Sequence, residues 1–213
     1  MAKRDYPDNG YPSVTTVIGQ LASFGLMEWF KRTPYEQIIR ESKRAKEVGT
    51  QMHNALQEFC DTGKAKIETE YPVEITFSLQ SFQLFKKEHP EFILKKSEIK
   101  LSSDTYGVNG TTDILIEKDG ILLLGDYKSS NLKEDQEKPT IWPEAKIQTS
   151  AYVHLYNDVM NASLEKAIII GLAKNKIAYN FYEMSLEEIK SEFNEVFLPL
   201  LNIWKHKNKK KEK

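Results

Sequence analysis

Asp113, Asp126 and Lys128 are the residues of this sequence whose types and spacing suit chemistry at a phosphate. They stand in GTTDILIEKDGILLLGDYKSS, where two apolar stretches flank Asp119-Gly120. Asp-Gly between strand-like residues predicts a two-residue hairpin turn. Cross-strand partners then lie equidistant from that turn, Lys118 with Ile121 and, further on, Asp113 with Asp126. Opposed side chains share a sheet face with Cβ atoms about 5 Å apart. Lys128, two residues beyond Asp126, emerges on that same face.

Two buried carboxylates at that distance repel, and the pair is costly unless a cation or a shared proton compensates. Lys128 supplies one positive charge, and a divalent metal supplies more. Carboxylate oxygens suit Mg²⁺ or Mn²⁺, which keep waters and accept substrate phosphate as further ligands. A metal and a lysine beside a phosphate-sized site point to hydrolysis of a phosphodiester. A buried Asp–Lys salt bridge, with Asp113 capping a turn, accounts for the same letters without any chemistry.

The elements that must position these residues follow from local signals. Tyr11-Pro12-Ser13-Val14-Thr15 leads into a helix through Leu21, closed by Gly25. A second helical stretch begins near Met27 or after Pro34 and runs to about Phe59, with Val48, Met52, Ala55, Leu56 and Phe59 at helical spacing. A third follows Tyr71-Pro72, buries Phe77, Phe82 and Phe85, and stops at His89-Pro90. Glu91 to Leu101 alternates as a strand, followed by a Ser-Ser-Asp-Thr turn and the hairpin. After a polar loop over 131–142, Pro143 to Met160 reads as a helix. Lys166–Ala173 and Ile177–Met184 read as strands around an Asn175-Lys176 turn, and Ser185 to Glu188 is a capping box for a last helix through Trp204. The order is that of an α/β (α+β) domain: a mixed central sheet flanked by helices, with an N-terminal helical elaboration. The expected layout is one domain over 1–204: helices over 11–90, a sheet core with its crossover helix over 91–184, and a closing helix over 185–204. A Lys-rich tail occupies 205–213.

Composition limits the alternatives. With 213 residues, 40% hydrophobic and 29% charged, the chain can bury a full core. No apolar run approaches a membrane span, so no membrane partner is expected, and the start lacks an apolar signal region. Cys60 is the only cysteine, which rules out an intrachain disulfide and fits the cytoplasm or another reducing compartment, a phage-encoded protein included. It also leaves no cysteine set for zinc or an iron–sulfur cluster. The net charge is −1; residues 205–213 carry +5, leaving −6 for the rest. Such a tail can reach a phosphate backbone or simply keep a helix end soluble. No Gly-rich phosphate loop, nucleophile elbow or HExxH is present.

Three further candidates are weaker taken singly. His53 sits beside the apolar face of its helix, one turn after Gly49, as a ligand or as an ordinary half-buried histidine. Gln148 and Tyr152 are spaced i, i+4 on the crossover helix, where Gln148 can bond a metal-bound water or a phosphate and Tyr152 can stack on a base or bond a phosphate, or Tyr152 is core and Gln148 solvated. Glu98 shares a strand face with Lys96 and Lys100, which reads as a solvated face.

Together these residues resemble the PD-(D/E)XK nuclease superfamily, in its RecB-like exonuclease branch. The likeness rests on His53, Gly110-Thr111-Thr112-Asp113, Asp126-Tyr127-Lys128 and Gln148-Thr149-Ser150-Ala151-Tyr152 in that order. The opening Tyr11-Pro12-Ser13-Val14-Thr15 is similar to that of mitochondrial genome maintenance exonucleases and their phage and bacterial relatives. The resemblance implies a restriction-endonuclease-like core and a metal-dependent DNA exonuclease, acting at single-stranded or duplex ends, with RNA left open as a substrate. It implies Asp113 and Asp126 as metal ligands, joined by His53 and the backbone carbonyl of Tyr127. Lys128 would act on the attacking water, and Gln148 and Tyr152 would support the site, with Glu98 in a secondary role. An imidazole ligand favours Mn²⁺ over Mg²⁺. A structure-specific endonuclease and a non-catalytic nucleic-acid-binding module are the competing readings. Cleavage polarity, oligomeric state and the pathway served, DNA repair and recombination among the options, stay open.

Overall fold

The computed structural model describes residues 9–21, 24–67 and 70–209. Its centre is the hairpin of β2 (Val108–Lys118) and β3 (Ile121–Ser130). Asp119 and Gly120 take φ of +52° and +79°, the left-handed pair that a two-residue turn needs to match strand twist. The register runs from Lys118↔Ile121 to Ile114↔Gly125, as the turn chemistry predicts. There the ladder stops, one pair short of Asp113 and Asp126.

β1 (Ile93–Ser103) pairs antiparallel with the outer side of β2. Its turn to β2 lies at Asp104–Gly107 rather than at Ser102-Ser103-Asp104-Thr105, because both serines stay paired in the strand. After β3 the chain crosses through α5 (Pro143–Met160) to β4 (Lys166–Ala173), which pairs parallel to β3. A parallel pair requires such a crossover. β5 (Tyr179–Met184) returns antiparallel to β4 around Asn175 and Lys176, giving the order β1-β2-β3-β4-β5. The strand starts two residues later than the sequence pattern predicts.

Because side chains alternate, the inner strands feed two cores. Leu123, Ile168 and Ile170 meet α3 (Tyr35–Thr62) and α4 (Pro72–Glu88) through Met52, Leu56, Phe82 and Phe85. Leu124, Ala167 and Ile169 meet α1 (Val14–Ile18), α5 and the C-terminal helix through Val17, Leu155, Phe193 and Phe197. β4 is buried along all but its first residue, as a strand covered on both faces must be. Phe77, expected with Phe82 and Phe85 in the core, is only half-buried; Ile75 and Leu79 fill that side of α4.

The N-terminal helices depart from the sequence pattern. α1 ends at Ile18 with Gly19 as its cap, while Gly25 lies inside α2 (Phe24–Arg32), and Pro34 separates α2 from α3. Residues 9–13 are held against the sheet. Asn9 bonds Ser102 and Asn109, Pro12 O accepts from Asn109 N, and Ser13 forms a parallel bridge with Asn109. This segment lines β2 on the side that β3 has left.

Ser185 and Glu188 form the expected capping box on α6 (Leu186–Ser191). The helix continues as a π-helical stretch (Glu192–Phe197) into α7 (Leu198–Asn208). Pro199 has no N–H for the Glu195 carbonyl, and Leu198 N–H bonds five residues back to Phe193, a local answer to that missing donor. The helix outruns Trp204: Lys205 belongs to it and donates to the Tyr106 carbonyl at 2.6 Å, so it is an anchor rather than tail. Residues 210–213 lie outside the described residues. Among the described residues no helix is long and apolar enough to cross a membrane.

Candidate active site

Where the β2–β3 ladder ends, side chains replace its backbone bonds. Thr112 Oγ1 donates to the Gly125 carbonyl at 2.8 Å, and Tyr127 N–H donates to Asp113 Oδ2 at 2.7 Å. The strands fork around the Asp113 carboxylate, and Asp126 and Lys128 follow on the far prong. Asp113 therefore meets the backbone of Tyr127 rather than forming a simple ladder pair with Asp126.

Four elements converge on the fork. From α3, His53 Nδ1 lies 2.9 Å from Asp113 Oδ1. Val48, Met52, Ala55 and Leu56 bury the neighbouring face of that helix, which leaves the His53 side chain 31% exposed at its boundary. From β3, the Lys128 ammonium pairs with Asp126 Oδ2. From α5, Gln148 Nε2 lies 2.8 Å from Tyr152 Oη and 3.5 Å from Asp126 Oδ1. From β1 comes Glu98.

Glu98 overturns its sequence reading. Ser97↔Ile114 and Ile99↔Thr112 bracket it opposite Asp113, and its φ is +48°. That left-handed residue, after a register shift between Leu94 and Lys96, breaks the alternation that had grouped Glu98 with Lys96 and Lys100. It lines a tight crevice with His53, Gln57, Cys60, Asp113 and Tyr127. Strained backbone of this kind concentrates at functional sites. Gln57 was missed in the sequence, although its place one turn after His53 was the available signal.

Tyr152 does not offer a face to a base. It is 4% exposed, and its ring stacks over Gly110, where an added Cβ would stand 2.9 Å from Cε1. Its hydroxyl instead holds Gln148. The Tyr127 side chain points into the other core, with its ring edge-on to Phe82 at 5.2 Å and its hydroxyl 3.7 Å from Cys60 Sγ.

The electrostatics separate the two carboxylates. Burial, reinforced by the Asp113 charge and opposed by Lys128, pushes Asp126 up to about 6. Burial presses Asp113 the same way, but His53, Lys128 and the Tyr127 N–H outweigh it and hold Asp113 below the usual carboxylate range. His53 is raised: burial works against its charge, and the Asp113 carboxylate prevails. Among the described residues no three His, Cys, Asp or Glu side chains stand close enough to hold a metal ion. In kind the donors fit a divalent cation, with two carboxylates and one imidazole.

No protein-family model matches the chain, and no curated protein matches it in sequence. Solved structures similar to it include an alkaline exonuclease from Laribacter hongkongensis, at TM-score 0.43 and 13% identity over 95% of this chain and 93% of that one. The same enzyme in complex with dAMP matches at TM-score 0.41 and 12% identity, over 96% of this chain and 94% of that one. A phage related exonuclease from Haemophilus somnus 129PT matches at TM-score 0.38 and 15% identity, over 91% and 96%. At such distances the likeness carries no residue roles to this chain.

Proposed function

We propose that this protein is a divalent-metal-dependent nuclease acting on DNA from its ends. The observation that carries the reading is the fork itself. Asp113 and Asp126 are 8% and 2% exposed, yet a half-exposed lysine and histidine open their site to solvent. A fold needing only an ion pair has no use for a second buried carboxylate beside it.

Asp113 and Asp126 would hold the cation, with His53 and the Tyr127 carbonyl completing the donors and Glu98 in reserve across the crevice. Bound there, a divalent ion supplies charge neutralisation at the phosphate and a lowered pKa for an attacking water. The residues do the rest. Lys128 would orient that water as the ammonium, or deprotonate it once its own proton has passed to solvent, and as the ammonium it offers positive charge to the phosphorane oxygens. Gln148, fixed by Tyr152, orients the Asp126 carboxylate. Water attack on phosphorus breaks one P–O bond, and the departing sugar oxygen takes up a proton.

The test uses 5′- and 3′-labelled single- and double-stranded DNA in Mn²⁺, Mg²⁺ or EDTA, with a closed circle alongside. Metal-dependent shortening of linear strands, an intact circle and loss of activity in Lys128→Ala are the expected results. A cut circle would turn the reading to an endonuclease. DNA bound without turnover in any metal would leave only a binding module.

A further inference from the structure

Gln148 also borders a second cavity. α1, the start of α2 and the first turns of α5 border an open cleft of about 290 Å³, whose lining includes Thr15, Ile18, Leu21, Leu26, Glu144 and Gln148. Glu144 and Gln148 are i, i+4 on α5 and share one face. The amide of Gln148 is the group that reaches Asp126 and Tyr152, so the cleft and the carboxylate pair share a wall.

The chemistry of the lining selects its occupant. Its volume sits at the low end of ligand pockets, about 300 Å³, enough for one nucleoside and too little for a duplex end. Ile18, Leu21 and Leu26 provide apolar walls for a flat ring. Glu144 repels a phosphate but accepts hydrogen bonds from the N–H groups of a base. Guanine alone presents two adjacent N–H donors on its pairing edge, which a carboxylate can accept together.

We propose that this cleft is a base subsite for the nucleotide adjoining the scissile phosphate, and that Glu144 gives it a preference for guanine. The position along a strand rests on the nuclease reading; the chemistry of the cleft does not. The base lies against Ile18, Leu21 and Leu26, the carboxylate accepts from its N–H edge, and the sugar-phosphate leads past Gln148 towards Asp126.

Binding to the full chain in EDTA tests the cleft apart from catalysis, with dGMP, dTMP and deoxyribose 5-phosphate titrated calorimetrically. The expected order is dGMP tighter than dTMP by at least about threefold, with the abasic sugar phosphate about tenfold weaker than dGMP. Glu144→Gln should abolish the guanine advantage. Leu26→Glu, at a position 44% exposed and so compatible with folding, should weaken both nucleotides about tenfold. This pattern with no cleavage in any metal would sink the nuclease reading and leave the cleft standing. Equal binding of all three ligands, no binding at all, or binding that neither variant alters overturns the subsite.

Discussion

At the scale of single residues, the Asp113 carboxylate does two jobs that compete in most strands. It continues a β-ladder by accepting from Tyr127 N–H, and it carries charge to the surface through His53. Lys128 has only the second kind of work, so Lys128→Ala should leave the fold intact and lower the cleavage rate by about 10²–10³-fold. Equal activity in that variant would remove Lys128 from the mechanism. His53 as a nitrogen donor implies Mn²⁺ turnover above that in Mg²⁺ at matched concentration. Equal or faster turnover in Mg²⁺ would take His53 out of the donor set. Gly110 makes a packing prediction instead. A methyl group there meets the Tyr152 ring, so Gly110→Ala should cost about 1–3 kcal/mol in denaturant unfolding, and it should impair activity by displacing Gln148. The G-x-x-D spacing was legible in the sequence; the reason for its glycine was not, because that reason is an aromatic ring 42 residues away.

At the level of elements, the α5 boundaries, the Asp119-Gly120 turn, the Asn175-Lys176 turn and the capping box of Ser185 and Glu188 depend on neighbours within about four residues. Ser185→Ala removes the side-chain acceptor for Glu188 N–H and should cost about 1 kcal/mol. An unchanged unfolding midpoint would show that the long C-terminal helix nucleates elsewhere. The misreadings share a cause too. Strict alternation puts Glu98 on a solvated face, and one left-handed residue interrupts that alternation. Ser102 and Ser103 resembled a turn but remain in β1, paired with Asn109 and Val108.

At the scale of the whole molecule, the sheet separates two cores, and α5 links the fork to the C-terminal helix. His154 lies in that second contact, its ring stacked on Phe193 at 3.7 Å with Nε2 buried and without a hydrogen-bond partner among the described residues. Burial, with Lys190 adding, lowers its pKa to about 4. The unfolded chain, titrating near 6.5, takes up the proton first. The stabilisation is therefore complete above pH 6.5 and lost as pH falls towards 4. Its size is about 1–2 kcal/mol once partial exposure of the ring is discounted. His154→Phe should flatten stability over that window, measured by urea unfolding at several pH values; an unchanged slope would exclude His154 as its source. The amino-acid order by itself determined the strands, the hairpin register and the identity of the chemical groups, since these follow from periodicity and turn chemistry over short distances. The end of the β2–β3 ladder, the shared crevice of Glu98 and Asp113, and the contact of Gln148 with both Asp126 and a second cleft are set by tertiary packing. Those outcomes depend on which buried backbone groups find partners in α3, α5 and the N-terminal segment, and no local pattern encodes that competition.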